Sequence, residues 1–246
     1  MVLKTIFNKV KTIRQSFIYK GDDFMTAVTV KTAKRYTVGE EICNSVSHGI
    51  GAVFGICGTV VMITLSVLHH SPLGIFTSAV YGFSMIMLYT MSTVYHAVQP
   101  PKAKEILRIF DHASIFLLIA GSYTPFCLIA LQGNQKGIWV AVAVWACAIL
   151  GIVLNAIDLK KTEKLGLVLY VIMGWSVIAV IKDVVAALPV PAFWLLLLGG
   201  LCYTGGIVFY VQKNKKYMHS IWHMFVLAGS VLHFFCIAIY VLPMAF

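Results

Sequence analysis

The chain consists of long apolar stretches separated by short polar breaks. Seven stretches are each long enough to cross about 30 Å of hydrocarbon at about 1.5 Å per helical residue. They cover approximately residues 42–68, 74–98, 106–131, 138–157, 165–181, 192–211 and 218–241. Proline, glycine or charged residues separate them, including a polar break at 158–164, and the apolar residues 184–188 can extend the short fifth stretch. We therefore predict an all-α, seven-transmembrane-helix bundle.

Composition supports this prediction and excludes a soluble globule. Hydrophobic residues make up 60% of the 246-residue chain, charged residues only 11%, and the mean hydropathy is +0.88. So little polar side chain cannot cover a water-exposed surface, and we expect a multi-pass protein of the inner (plasma) membrane. The six cysteines stand singly in apolar stretches, which indicates small core residues rather than disulfides or a thiolate zinc site.

The positive charge predicts the orientation of the bundle. Lysine and arginine number eight before the first stretch, then none, three, one, three, one, three and none in the successive polar segments. The alternating sums are 17 and 2, which by the positive-inside rule predicts a cytoplasmic N-terminus and a C-terminus outside. We interpret the net charge of +10 as topology signals and contacts with anionic lipids, with no nucleic-acid partner.

The basic N-terminal segment, residues 1–38, is predicted to stay cytoplasmic and to precede the membrane domain, residues 39–246. It lacks the apolar core and cleavage site of a signal peptide. Apolar residues recur at helical spacing beneath its basic face, which favours an amphipathic helix lying on the membrane. A disordered basic arm that holds orientation is the alternative.

The polar residues inside the predicted spans gather near one membrane face. With the N-terminus inside, the odd-numbered spans begin at the cytoplasmic face and the even-numbered spans end there. The residues concerned are Glu40, Glu41, Asn44, Ser47, His48, Ser92, Tyr95, His96, Asp111, His112, His219 and His223. They all lie about 5–15 Å deep by the helical rise. Polar groups at that depth are costly, and a functional site is the default interpretation.

Three imidazoles at this level suit a metal ion. His219 and His223 are four residues apart on one helical face, and Ser92 and His96 repeat that spacing. Three neutral nitrogen ligands from His96, His219 and His223 favour a tetrahedral Zn²⁺ with an open fourth position. The alternative is a set of interfacial histidines that bond to neighbours and headgroups.

Asp111 and Ser92 are the candidate catalytic residues beside the metal. Asp111 can hold the zinc-bound water by a hydrogen bond and act as general base, or it can orient one of the imidazoles. The alternative is that Asp111 pairs with Arg108 one turn earlier in the same helix. Ser92 either orients the water or bonds to a carbonyl of its own helix. His233 lies about 15 Å further across the membrane than His223, too far for direct ligation.

Several motifs occur together in residues 38–246. They are Glu41-x-x-Asn44-x-x-x-His48-Gly49, Ser92-x-x-x-His96, Asp111, Gly121-Ser122-Tyr123-Thr124-Pro125-Phe126 and His219-x-x-x-His223. This joint pattern closely resembles the progestin and adipoQ receptor family, in its bacterial hemolysin III branch. The resemblance implies zinc held by His96, His219 and His223, with Asp111 and Ser92 at the water, and a ceramidase-like activity.

Two functional hypotheses follow. The first is a zinc-dependent intramembrane hydrolase that cleaves an amide or ester bond in a membrane lipid and serves membrane homeostasis. The second is a non-catalytic membrane-homeostasis protein, or a hemolysin III-type cytolysin, in which zinc only ties helices together. A pore has little support, because the polar groups gather at one face instead of lining a path.

Overall fold

The computed structural model describes residues 36–246, which are mainly helical with no β-strand among them. The helices are α1 (Val38–Leu68), α2 (Pro72–Ala97), α3 (Pro101–Pro125), α4 (Gln135–Gly174), α5 (Ile181–Ala187), α6 (Val190–Tyr210) and α7 (Met218–Cys236). Helices α3 and α7 continue through π-helical turns at Phe126–Ala130 and Ile237–Val241. These residues contain six candidate membrane spans by length and composition. Residues 1–35 lie outside the described residues, so the interfacial N-terminal helix stays a prediction.

Local sequence sets where the first two helices begin. Thr37 caps α1, because its hydroxyl accepts from the Glu40 amide at 3.3 Å and the Glu40 carboxylate accepts from the Thr37 amide at 2.8 Å. Ser71 caps α2 by accepting from the Gly74 amide at 3.0 Å, and Pro72 fits the first turn, where no intrahelical donor is needed.

Helix α4 corrects the predicted polar break at 158–164. Only Asp158 leaves helical geometry, with φ −157° and ψ 85°. Its Oδ1 accepts from the Lys161 amide at 3.3 Å, as a helix cap does, so residues 159–164 are helical. The break was predicted too long because a run of charged residues reads as a loop, although one capping aspartate interrupts the helix. Beyond α4, helix α5 continues the fifth predicted stretch to Ala187. This end is close to the predicted extension through residues 184–188.

The two arms of α4 on either side of Asp158 lie side by side against α3. A Cβ atom added at Gly151 would lie 2.2 Å from the Phe116 ring, and one added at Gly166 would lie 3.9 Å from it. In one straight helix these glycines would be about 22 Å apart. The chain therefore reverses direction at Asp158.

Close helix packing joins α1 to both α2 and α7. A Cβ atom added at Gly51 would lie 2.4 Å from the Tyr89 ring, and one added at Gly58 would lie 2.7 Å from the Phe234 ring. Small residues let membrane helices approach closely. The Tyr89 hydroxyl also donates to Ser230 Oγ at 2.6 Å, which links α2 to α7. The start of α1, the end of α2 and the start of α7 therefore meet at one end of the bundle.

Candidate metal site

Three histidines converge where α2 ends and α7 begins. His96 lies in the last turn of α2, and His219 and His223 lie in the first two turns of α7. One ring nitrogen from each is within 4.8 Å of the others, and Nε2 of His223 is 3.1 Å from Nε2 of His219. The predicted convergence of these three side chains is confirmed.

Hydrogen bonds on the far side of two rings orient them towards a common point. Nδ1 of His96 lies 2.6 Å from Oε2 of Glu41, and Nδ1 of His223 lies 3.2 Å from the Asn44 carbonyl oxygen. Since a carboxylate and a carbonyl only accept, both Nδ1 atoms carry the proton. The Nε2 atoms of His96 and His223 therefore hold the lone pairs that a metal requires.

A second carboxylate fixes the start of α7. Oε1 of Glu40 accepts from the Tyr217 amide at 2.9 Å. Tyr217 precedes α7 with φ 61°, a left-handed conformation that is costly for a side chain of this size. Contact with Glu40 holds this turn beside the start of α1, and thereby sets the position of His219 and His223.

The donor set fits a zinc ion. Two Zn–N bonds of about 2.0–2.1 Å at a tetrahedral angle place the nitrogens roughly 3.3 Å apart, close to the His219 to His223 separation. His96 and His223 are fully buried, and Glu41 supplies the carboxylate that commonly supports a ligating histidine. Soft thiolates take no part, since each ligand atom of the cluster is an imidazole nitrogen.

Ser92 and Asp111 are both buried on the helices that the sequence predicts. Within residues 36–246, Ser92 Oγ makes no hydrogen bond, so it does not bond to its own helix as Ser66 and Thr93 do. Arg108 pairs with Glu163 at 3.1 Å, and no ion pair between Arg108 and Asp111 is found in the described part of the chain. Neither alternative contact is found in the described residues, and the roles of Asp111 and Ser92 at a metal-bound water stay predictions.

An apolar cavity of about 200 Å³ reaches the level of the histidines. Its lining runs along α3 from Asp111 to Phe126, a distance of about 22 Å by the helical rise. Helices α4, α6 and α7 supply most of the rest of the wall, which is mainly aliphatic and aromatic. The three clustered histidines do not line it, whereas Asp111 and His48 do. The cavity therefore approaches the site at His48, whose ring stacks on that of His223.

Sequence reasoning did not assign three residues that surround the histidines. Glu41 supports His96, the backbone of Asn44 supports His223, and His48 stacks on His223 with ring centroids 3.5 Å apart. Their spacing of three and four residues places them on one face of α1. That shared face is the signal that could have assigned them.

His233 is the remaining buried histidine on the cavity wall. Its Nε2 donates to the Leu196 carbonyl oxygen at 3.1 Å, and it packs edge-on to Tyr203. It is not among the three histidines of the cluster, in agreement with the prediction that it lies too deep for ligation.

Fold and site together define a multi-pass membrane protein with a three-histidine candidate metal site, in which His96 and His223 are buried and His219 is half-buried. Comparison with known proteins gives the family. The family model described as "Haemolysin-III related" matches residues 36–234. The chain is 41% identical to Hemolysin-3 of Bacillus cereus over 209 residues, which are 85% of this chain and 94% of that protein. It is 40% identical to the Hemolysin-3 homolog of Bacillus subtilis (strain 168), covering 86% of this chain and 99% of the relative.

A more distant relative extends the likeness beyond bacteria. The chain is 26% identical to the human monocyte to macrophage differentiation factor over 207 residues, 82% of this chain and 84% of that protein. This chain belongs to the hemolysin III family, the bacterial branch of the progestin and adipoQ receptor family, as its motifs predicted. It is accordingly a multi-pass membrane protein, and in bacteria the membrane is the plasma membrane.

Proposed function

We propose that this protein is a zinc-dependent intramembrane hydrolase that cleaves an amide or ester bond in a membrane lipid and serves membrane homeostasis. The observation that carries the proposal is the meeting of two features at one level of the bundle. The three-histidine cluster can hold a metal ion, and the wall of an apolar cavity includes Asp111 and also His48, whose ring stacks on His223. A structural metal site needs no such cavity.

The ligands are assigned to His96, His219 and His223. When bound, zinc polarises a carbonyl group and lowers the pKa of its water towards neutrality. Glu41 holds His96 with the Nε2 lone pair facing the other two rings. Asp111 would take the proton of the attacking water on a carboxylate oxygen and return it to the leaving nitrogen or oxygen as the bond to the carbonyl carbon breaks. Ser92 Oγ would orient that water by a hydrogen bond.

The cavity is assigned to the chain of the lipid substrate. Its apolar wall is about 22 Å long by the helical rise, comparable to a long acyl chain. A lipid that enters sideways from the bilayer places its polar end near Asp111 while its chain contacts α3, α4 and α6. Burial of the chain supplies affinity, and the buried polar residues supply orientation.

The proposed topology has seven spans, with the N-terminus in the cytoplasm and the C-terminus outside. The 53-residue candidate span Gln135–Ala187 is about 80 Å long by the helical rise, far more than one membrane thickness, and reverses at Asp158. We count its two arms as two spans. The lysines near that reversal, at positions 160, 161 and 164, then lie in the cytoplasm.

One observation favours a second function, a non-catalytic protein with structural zinc. The histidine cluster joins α2 to α7 and lies outside the wall of the cavity. A metal in that position can stabilise the bundle without meeting a substrate. In that case, the protein acts in membrane homeostasis or cytolysis through its surface or assembly.

Metal analysis combined with lipidomics separates the two functions. Cells that carry wild type or the His219→Ala variant are compared, with His112→Ala as a control, since His112 lies on α3 outside the cluster. The hydrolase predicts about one zinc per wild-type chain, and an intact lipid that accumulates together with loss of its free fatty acid in His219→Ala cells. Identical lipid profiles in all three strains would contradict it.

A further inference from the structure

His48 is held in a fixed orientation between α2 and α7. Its side chain is 1% exposed, its ring stacks on His223 with an interplanar angle of 11°, and the Tyr89 ring meets it edge-on at 5.0 Å. Such packing on two sides leaves the imidazole little rotational freedom. Any hydrogen bond that it makes is therefore directed in advance.

Neither ring nitrogen of His48 has a hydrogen-bond partner in the part of the chain that the structure describes. A neutral imidazole carries one donor and one acceptor, and leaving both unmet at this depth is costly. Buried polar side chains nearly always have a partner, so an exception calls for a bound molecule or water. The same ring lines the cavity, as Asp111 does.

We infer that His48 is a positioning residue that hydrogen-bonds the polar group of the bound lipid. This inference rests on the proposed function and adds a specificity element to it. The lipid group that suits a hydrogen bond with His48 is an amide or hydroxyl next to the bond to be cleaved, because such a group can donate or accept as the imidazole requires. An apolar chain without a polar end gains nothing from this contact.

The test measures binding of a fluorescent long-chain N-acyl amino alcohol to the purified protein in detergent micelles. The variants are His48→Phe, which keeps a ring between His223 and Tyr89, and His48→Gln, which keeps a donor and an acceptor. The control is His69→Phe, a ring change in the loop between α1 and α2, where the ring stacks on Phe246 and does not line the cavity. Zinc content and the thermal midpoint are recorded for each.

We expect His48→Phe to bind the lipid roughly 10-fold or more weakly, His48→Gln to recover part of the loss and His69→Phe to match wild type. His48→Phe should keep its zinc and its thermal midpoint, since in the described residues the ring nitrogens contribute no hydrogen bond to the fold. Equal lipid binding by His48→Phe and wild type would overturn the inference and show that the ring meets only water. Loss of zinc from His48→Phe would also overturn it, since His48 would then belong to the metal site.

A second measurement on the same samples, release of the fatty acid, distinguishes failure of the inference from failure of the proposed function. If wild type binds the lipid and His48→Phe does not, but neither releases a fatty acid, the contact stands and the hydrolase is wrong. If wild type does not bind the lipid at all, both are wrong.

Discussion

Oε2 of Glu41 lies 2.6 Å from Nδ1 of His96, across the interface between α1 and α2. The other carboxylate oxygen lies 2.6 Å from Nζ of Lys104. The pairing makes the carboxylate a fixed acceptor for the His96 ring. A residue on the first helix therefore orients a candidate ligand on the second.

Glu41→Gln should lower zinc affinity by roughly 10-fold to 100-fold, the usual effect of removing the acceptor behind a ligating histidine. The neutral amide is close in size but accepts more weakly than a carboxylate. Competition with a zinc chelator measures the effect. Glu105→Gln is the matched control, because Glu105 is exposed on α3. If both variants held zinc as wild type does, Glu41 would have no role in metal binding.

His96→Ala, His219→Ala and His223→Ala should each remove most of the zinc from a protein that otherwise holds about one ion per chain. Loss of one of three ligands leaves a site too weak to compete with water. Elemental analysis of purified protein is the measurement, with His112→Ala as control. Full zinc in all three variants would show that the metal, if any, lies elsewhere.

Gly51→Ala should destabilise the bundle by about 1–3 kcal/mol, because the added methyl overlaps the buried Tyr89 ring. Displacement of that ring also strains the Tyr89 to Ser230 hydrogen bond. Gly49→Ala is the control, since the nearest atom to a Cβ there is Cγ2 of Thr93 at 3.8 Å. Unfolding in detergent, followed by circular dichroism, should show a lower midpoint for Gly51→Ala alone. Equal midpoints would mean that the helices shift apart without cost.

A reporter fused after Phe246 should report the non-cytoplasmic side, and a cysteine at position 161 should be labelled only from the cytoplasm. Seven spans and a cytoplasmic N-terminus require both results. If the segment Gln135–Ala187 crossed the membrane once, the C-terminal reporter would be cytoplasmic. A paired measurement of fusion activity and cysteine accessibility separates the two topologies.

Helix positions and the common level of the three histidines could be predicted from the sequence, because both depend on the order of apolar and polar residues. Distance along each helix follows from the helical rise, so His96, His219 and His223 could be placed at one level. The bounds of α7 were likewise close to prediction, since Met218 begins the apolar run after three lysines.

Contacts within that level could not be predicted in the same way. Whether Glu41 or Asp111 supports a histidine depends on the rotation of each helix about its axis and on neighbours distant in sequence. Asp111 was considered as an imidazole partner, whereas Glu41 contacts His96. Similarly, hydropathy identifies a polar run near Asp158 but does not show that the run stays helical beyond a single capping residue.

Asp111 is the residue that we propose as the general base of the hydrolase. The most direct measurement is the rate of fatty-acid release from an N-acyl amino alcohol lipid by wild type and Asp111→Asn at equal zinc content. Asp183→Asn serves as control, since Asp183 pairs with Lys136 outside the cluster. We predict that Asp111→Asn keeps its zinc and its fold while its rate falls by roughly 10²-fold or more, as expected for a lost general base. An Asp111→Asn protein with full zinc and an unchanged rate would contradict the hydrolase mechanism and favour structural zinc.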